Sequence, residues 1–194
     1  METTVYMVRH ARSVSNASII RGRLPGFPLD DRGKKTALRT AQYFRGRKIA
    51  AIFTSPILRA KQTAEQISKV VKRKPITRDE INEWNVWKIE GKKTIDLNPF
   101  ELLIEFVFFP QIVNWGEKPT DVQKRVTAFI KRVITEYKGK EIIIVTHSDC
   151  IRWSRLHFQG LPMNFHRLFR TNTGSVTKLV FDDGELKKVE YFEP

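Results

Sequence analysis

The residues able to do chemistry stand at the ends of apolar runs. Val5 to Val8 is a run of strand length that breaks off into Arg9 and His10, with Arg12, Ser13 and Asn16 just behind. "IAAIFTS" ends in Thr54-Ser55, and Arg59 follows one helical turn later. "EIIIVT", Glu141 to Thr146, runs straight into His147 and Ser148. Arginine offers a fork of donors that matches phosphoryl oxygens, and it cannot lose its charge. Histidine is a nucleophile when one ring nitrogen is deprotonated, and its ordinary pKa of about 6.5 suits neutral pH. Two histidines and two arginines at three such ends imply a cleft that holds a tetrahedral anion. A proton donor for the leaving group is still needed, and Glu83 in "INEWNVWKIEG" stands where it would supply one. His157 and His166 lie outside the pattern and read as surface or core residues. No cluster has the spacing of a metal site, so neither metal nor cofactor is expected.

These groups are far apart in the chain, so regular elements must gather them. Asp30 to Arg47 has helix periodicity, with Ala37, Ala41 and Phe44 on one face. Pro56 to Val71 predicts a helix with Ser55 as its N-cap and Pro56 at its first position. Ile76 marks a short third strand, followed by an irregular segment from Asn82 to Lys93. Asp96 to Val113 predicts a helix limited by Pro110. Thr120 to Tyr137 is amphipathic, and "SDCIRWSRLHFQG" predicts a helix stopped by Gly160. Gly174 to Phe192 predicts a hairpin turning at Asp183-Gly184. Strands alternating with helices predict an α/β fold: a mainly parallel sheet covered on both faces, a three-layer α/β/α sandwich with the hairpin as its antiparallel edge. Ligands of such sheets bind beyond the carboxyl ends of the strands.

A chain of 194 residues fits one domain, 1–194, and is long enough to bury a core. Hydrophobic residues at 41% and aromatics at 11% exclude wholesale disorder. The longest apolar-rich run, Phe100 to Phe109, contains two glutamates and is too short to span a bilayer. The first residues read as a strand, not a signal, and the single cysteine, Cys150, cannot close an internal disulfide; both point to a cytoplasmic protein. The net charge of +14 would suit nucleic acid, an anionic membrane surface or a small anionic substrate. "KVVKRK" and the pairs Lys124-Arg125 and Lys131-Arg132 fall in helix-like segments and read as solvated faces. No nucleic-acid-binding module accompanies them. A small phosphorylated substrate is therefore the expected partner, with neither nucleic acid nor membrane.

The same residues resemble the histidine phosphatase superfamily, also called phosphoglycerate mutase-like. Arg9, His10, Ala11, Ser13 and Asn16 fall in the frame of its opening signature, and "TSPILRAKQTA" is similar to its arginine-bearing second motif. "INEWNVWKIEG" keeps the spacing from the acid to a Glu-Gly pair, here Glu90-Gly91, and "IIIVTHSD" resembles the second-histidine motif. "GEKPTDVQKRV" and "FRTNTGSVTKL" resemble two further segments, so the likeness spans nearly the whole chain. It implies a phosphoglycerate mutase-like fold and a metal-independent phosphatase acting through a phosphohistidine. His10 would be the nucleophile, Glu83 the acid and base, and His147 their catalytic partner. Arg9, Asn16 and Arg59 would bind phosphate, with Arg12, Ser13 and Ser148 as rim or substrate contacts.

Some positions depart from the family pattern. Ala11 and Ser148 replace glycines after the two histidines, lowering local backbone freedom. Val86-Trp87 replaces a glycine-containing stretch after the acid. The cap insertion at about 94–118 is short, apolar and aromatic, and no arginine lies between Arg78 and Arg125. A mutase acting on phosphoglycerate would be expected to place arginines there, although Lys88, Lys92 and Lys93 would partly substitute. Phosphatase is thus the favoured reading, with a cofactor-dependent phosphoglycerate mutase as the alternative. A basic nucleic-acid-binding or scaffolding protein on an inactive phosphatase fold is the alternative of another class. The cap aromatics Phe100, Phe106, Phe108, Phe109 and Trp115 would seat an apolar leaving group, pack in the core or form a homodimer seam.

Overall fold

The computed structural model describes residues 1–14, 19–100 and 110–194. Six strands form one sheet: β1 (Glu2–Arg9), β2 (Ile49–Thr54), β3 (Pro75–Thr77), β4 (Glu141–Thr146), β5 (Val176–Asp182) and β6 (Glu185–Phe192). Their order is β3-β2-β4-β1-β5-β6, with β1 to β4 mutually parallel and the closing pair antiparallel. This is the sheet the alternation of elements predicts. The hairpin turns where Asp183 and Gly184 both take positive φ, 46° and 86°, as a tight two-residue turn requires.

Helices α1 (Asp31–Tyr43), α2 (Leu58–Val71), α3 (Pro119–Glu136) and α4 (Ser148–Gln159) cover the sheet. Side chains of a strand alternate between faces, and the core divides accordingly. Tyr6, Val8, Ile52, Ile143 and Val145 pack with Ala41 and Phe44 of α1 and Ala60, Ala64 and Ile67 of α2. Met7, Phe53, Ile142 and Ile144 pack on the other face with Phe129 and Ile130 of α3 and Trp153 of α4. Each fully buried Val, Ile, Met or Phe side chain among these contributes on the order of 1.5–3 kcal/mol. Both faces are dry because the parallel crossovers place helices on each.

Two local details depart from the sequence reading. Ser55 does not cap α2, whose N-cap is Ile57 without a side-chain bond. The Ser55 hydroxyl instead accepts from the Ile57 amide at 3.3 Å and faces His147. Half of the helix expected from Asp96 to Val113, including Phe106, Phe108 and Phe109, lies outside the described residues. Its flanks are 3₁₀ turns at Thr94–Asp96 and Pro110–Ile112; Phe100 is exposed and Trp115 buried. No described helix is long and apolar enough to cross a membrane.

Candidate active site

The register of the sheet brings the polar groups together. Arg9 lies level with Thr146, and Thr54 with Val145, so three strands end at one edge. The His10 amide donates to the Thr146 carbonyl at 3.0 Å, and the rings of His10 and His147 lie 5.1 Å apart, both buried. Neither Ala11 nor Ser148 takes positive φ, so the glycine freedom the family usually keeps is not needed at either position.

The partners of His10 settle its tautomer. Nδ1 lies 2.8 Å from the Ala11 carbonyl, which can only accept. Nε2 takes a bond of 3.2 Å from Arg59 Nε, which can only donate. The ring therefore carries its proton on Nδ1, and Nε2 is unprotonated with its lone pair turned to Arg59. Burial lowers the pKa well below 6.5, and the charges of His147, Arg59 and Arg9 lower it further.

Around that nitrogen stand Arg59, Glu83 and His147. Arg59 Nη2 donates to the Gly22 carbonyl at 3.0 Å and meets Glu83 Oε2 at 3.4 Å. Glu83 Oε2 also lies 3.0 Å from Nδ1 of His147, a close contact without hydrogen-bond alignment. Nε2 of His147 is 2.8 Å from the Ser55 hydroxyl. Burial by itself would raise the Glu83 pKa. His147, Arg59 and His10 together outweigh it and hold the carboxyl well below the carboxylate range. Burial also lowers the pKa of His147, so at neutral pH Arg59 is the charge always present beside Glu83.

Two guanidinium nitrogens carry the strongest signal. Arg59 Nη1 and Arg9 Nε are buried and have no partner among the described residues. Both arginines act electrostatically on His10. A buried charged donor left unpaired costs more than ~1–3 kcal/mol, so such groups imply a bound acceptor. Arg9 is otherwise held by the Thr171 carbonyl, and Ser148 shares a 2.8 Å bond with the Thr171 hydroxyl. Ser148 thus steadies Arg9 through Thr171.

Some expected residues sit elsewhere. Arg12 turns away to Asp30 at 2.8 Å and is half exposed, because Asp30 at the start of α1 offers it a carboxylate. Ser13 is buried and accepts from Arg21. Asn16 lies outside the described residues. Arg21 went unnoticed in the sequence, and only its nearness to Arg59 and Glu83 singles it out. Lys88 is exposed and bonds Asn114, and Lys92 and Lys93 are exposed.

The acid loop is held by its backbone. Arg125 Nη1 donates to the carbonyls of Glu80 and Asn82, both at 2.8 Å, and Nη2 to that of Glu83 at 3.2 Å. Arg23 Nε reaches the same Glu83 carbonyl at 2.7 Å. Glu117 joins the two arginines, at 2.6 Å from Arg125 and 3.2 Å from Arg23. Arg125 is therefore not part of a wet face, as its place in a Lys-Arg pair suggests. Gly22 explains a further close approach: at φ 44°, an added Cβ would stand 2.1 Å from a Glu90 oxygen.

Donor atoms of His10, Glu83 and His147 fall within 4.8 Å of one another, a set a transition metal could use that spacing in the chain does not reveal. Arg59, already bonded to His10 Nε2, sets a fixed positive charge against a cation there. The whole arrangement favours an anion.

Comparison with known proteins agrees. The family model described as histidine phosphatase superfamily (branch 1) matches residues 5–194. Rv0525 of Mycobacterium tuberculosis is 28% identical over 202 residues, covering 100% of this chain and 97% of its own. A probable phosphoglycerate mutase, GpmB, of Yersinia enterocolitica is 26% identical over 188 residues, covering 92% and 85%. Among solved structures, a mycobacterial glucosyl-3-phosphoglycerate phosphatase superposes with TM-score 0.84 at 17% identity, covering 98% and 97%. A phosphoserine phosphatase of Entamoeba histolytica in complex with phosphoserine gives 0.84 at 20%, covering 96% of each chain.

Proposed function

Since the chain belongs to the histidine phosphatase superfamily (branch 1), we propose that it is a phosphatase that hydrolyses phosphomonoesters through a phosphohistidine on His10. It is an enzyme of the phosphatase and phosphoglycerate mutase-like type. The observation that carries the reading is the unprotonated Nε2 of His10 beside two arginines with unused buried donors. A phosphoryl group supplies acceptors for those donors and an electrophile for that nitrogen.

The reaction follows in two steps. His10 Nε2 attacks phosphorus, the ester P–O bond breaks, and the departing oxygen takes its electron pair and a proton from Glu83. Water then attacks phosphorus and gives a proton to Glu83, while the P–N bond breaks and its pair returns to His10. Orthophosphate leaves. Glu83 is ionised in the empty site, so it must gain a proton before it can act as an acid. A phosphate dianion on Arg59 and Arg9 offsets the charge that keeps Glu83 ionised, and this moves its pKa upward. Guanidinium charge stabilises the equatorial oxygens without reorganising. That task is large, because phosphomonoester hydrolysis calls for up to ~10²¹-fold acceleration.

Phosphate release should persist in chelator and fall to background in His10→Ala. Full turnover by that variant, or recovery only on adding a divalent metal, would sink the reading. The name of the Yersinia relative favours a second one, transfer of the phosphoryl group back to bound product. Incubation with 3-phosphoglycerate separates them, since a mutase yields 2-phosphoglycerate and a phosphatase yields free phosphate.

A further inference from the structure

Glu83 faces two spaces. On one side are His147 and Arg59; on the other is a cavity of about 250 Å³ that Glu83 helps to line. Trp84, Val86, Ile89, Leu97 and Trp115 form its walls, with Asp149 the second carboxyl and Thr94 near the exposed side. No described Lys or Arg lines it. The segments 15–18 and 101–109 contain neither residue type. The group that takes a proton from Glu83 must lie against Glu83, and this is a cavity that Glu83 lines. We infer that the cavity receives the leaving group, and that the substrates preferred are phosphomonoesters of uncharged, apolar alcohols or phenols.

This rests on the phosphatase reading and deepens it. Apolar walls gain about 25 cal/mol for each Å² they remove from water, and they offer a carboxylate no partner. A 3-phosphoglycerate leaving group carries such a carboxylate, and phosphoserine carries a carboxylate and an ammonium. An aryl group has none of these charges and suits a wall made by Trp84 and Trp115, whose rings lie 5.5 Å apart and tilted by 32°.

The test compares kcat/KM for 2-naphthyl phosphate and 3-phosphoglycerate, read as phosphate release, in the wild type and in Thr94→Lys. The aryl ester should lead by about tenfold or more, and the new lysine should narrow that lead several-fold by pairing with the carboxylate. Equal or better turnover of 3-phosphoglycerate would overturn the inference while leaving the phosphatase reading intact. If neither ester is hydrolysed, the phosphatase reading falls, and ligand-observed NMR with 2-naphthol decides the cavity by itself. Binding that Leu97→Asp weakens upholds the cavity as an apolar subsite, and no binding overturns it.

Discussion

An imidazole packed against two guanidiniums gives up its proton early. Because burial and neighbouring charge hold the pKa of His10 below 6.5, the ring stays neutral at pH 7 and on moderate acidification. The acid limb of kcat/KM is therefore expected below 6.5, and a limb at or above that value in a pH–rate profile would contradict the arrangement. Stability carries the same sign. The unfolded chain takes up a proton near 6.5 that the folded ring refuses, so this contribution is complete above 6.5 and shrinks as the pH falls below it. Asp149 works the other way, since burial and then Glu83 push its pKa up to about 6 and the folded protein keeps that proton longer. Urea unfolding of the wild type against His10→Gln at pH 7 and pH 5.5 isolates the histidine: the gap between them should close on the acid side. Cys150 plays no part in this, for burial raises its thiol to about 12 and its Sγ meets the Asn82 carbonyl.

One element decides whether Glu83 can act, and it has almost no regular structure. Residues 82–85 are fixed by Arg125, Arg23 and Glu117, which bind the backbone and leave the carboxyl free to reach His147 and Arg59. Arg125→Lys removes a fork that serves three carbonyls at once, and lysine cannot copy it. We expect kcat to fall about 10–100-fold, since displacement near 1 Å costs up to that much. The loss should be larger for an alkyl phosphate than for 4-nitrophenyl phosphate, whose leaving group needs no acid. Glu83→Gln should show the same pattern more strongly, with about 10²–10⁴-fold loss on the alkyl ester. Equal losses on both esters would mean the clamp matters for folding and not for the acid. In the sheet itself, Ile144→Ala on β4 should cost about 2–5 kcal/mol by denaturant unfolding, because the site is fully buried against α3 and α4.

Across the whole molecule the charge of +14 acts at longer range than any contact. A field of that sign draws anionic substrates toward the cleft, and salt screens it over about 10 Å at 0.1 M. Raising the salt from about 20 mM to 200 mM should lower kcat/KM for a phosphomonoester, mainly through KM. Unchanged kinetics would leave the charge without a role in catalysis. Salt-sensitive DNA binding that survives loss of both His10 and His147 would favour the nucleic-acid-binding alternative.

The order of elements and the polar strand ends were legible in the sequence, because alternation and 3.6-residue periodicity record which face each segment buries. Arg9, His10, Arg59 and His147 stood out for the same reason: each follows an apolar run that can only be a strand or start of a helix. Glu83 was visible as a spacing, but its contact with His147 was not. Arg21, Arg23, Arg125 and Glu117 were hidden. Arg23 and Arg125 donate to carbonyls of the remote acid loop and to the Glu117 carboxylate, and Arg21 donates to the Ser13 hydroxyl. A lysine-arginine pair on a helix looks the same whether water or a backbone carbonyl receives it. The pairing of Arg12 with Asp30 was hidden as well, since only the start of α1 brings that carboxylate to it. Local patterning determines what each residue could face; the register of β1, β2 and β4 and the packing of irregular loops decide which groups meet.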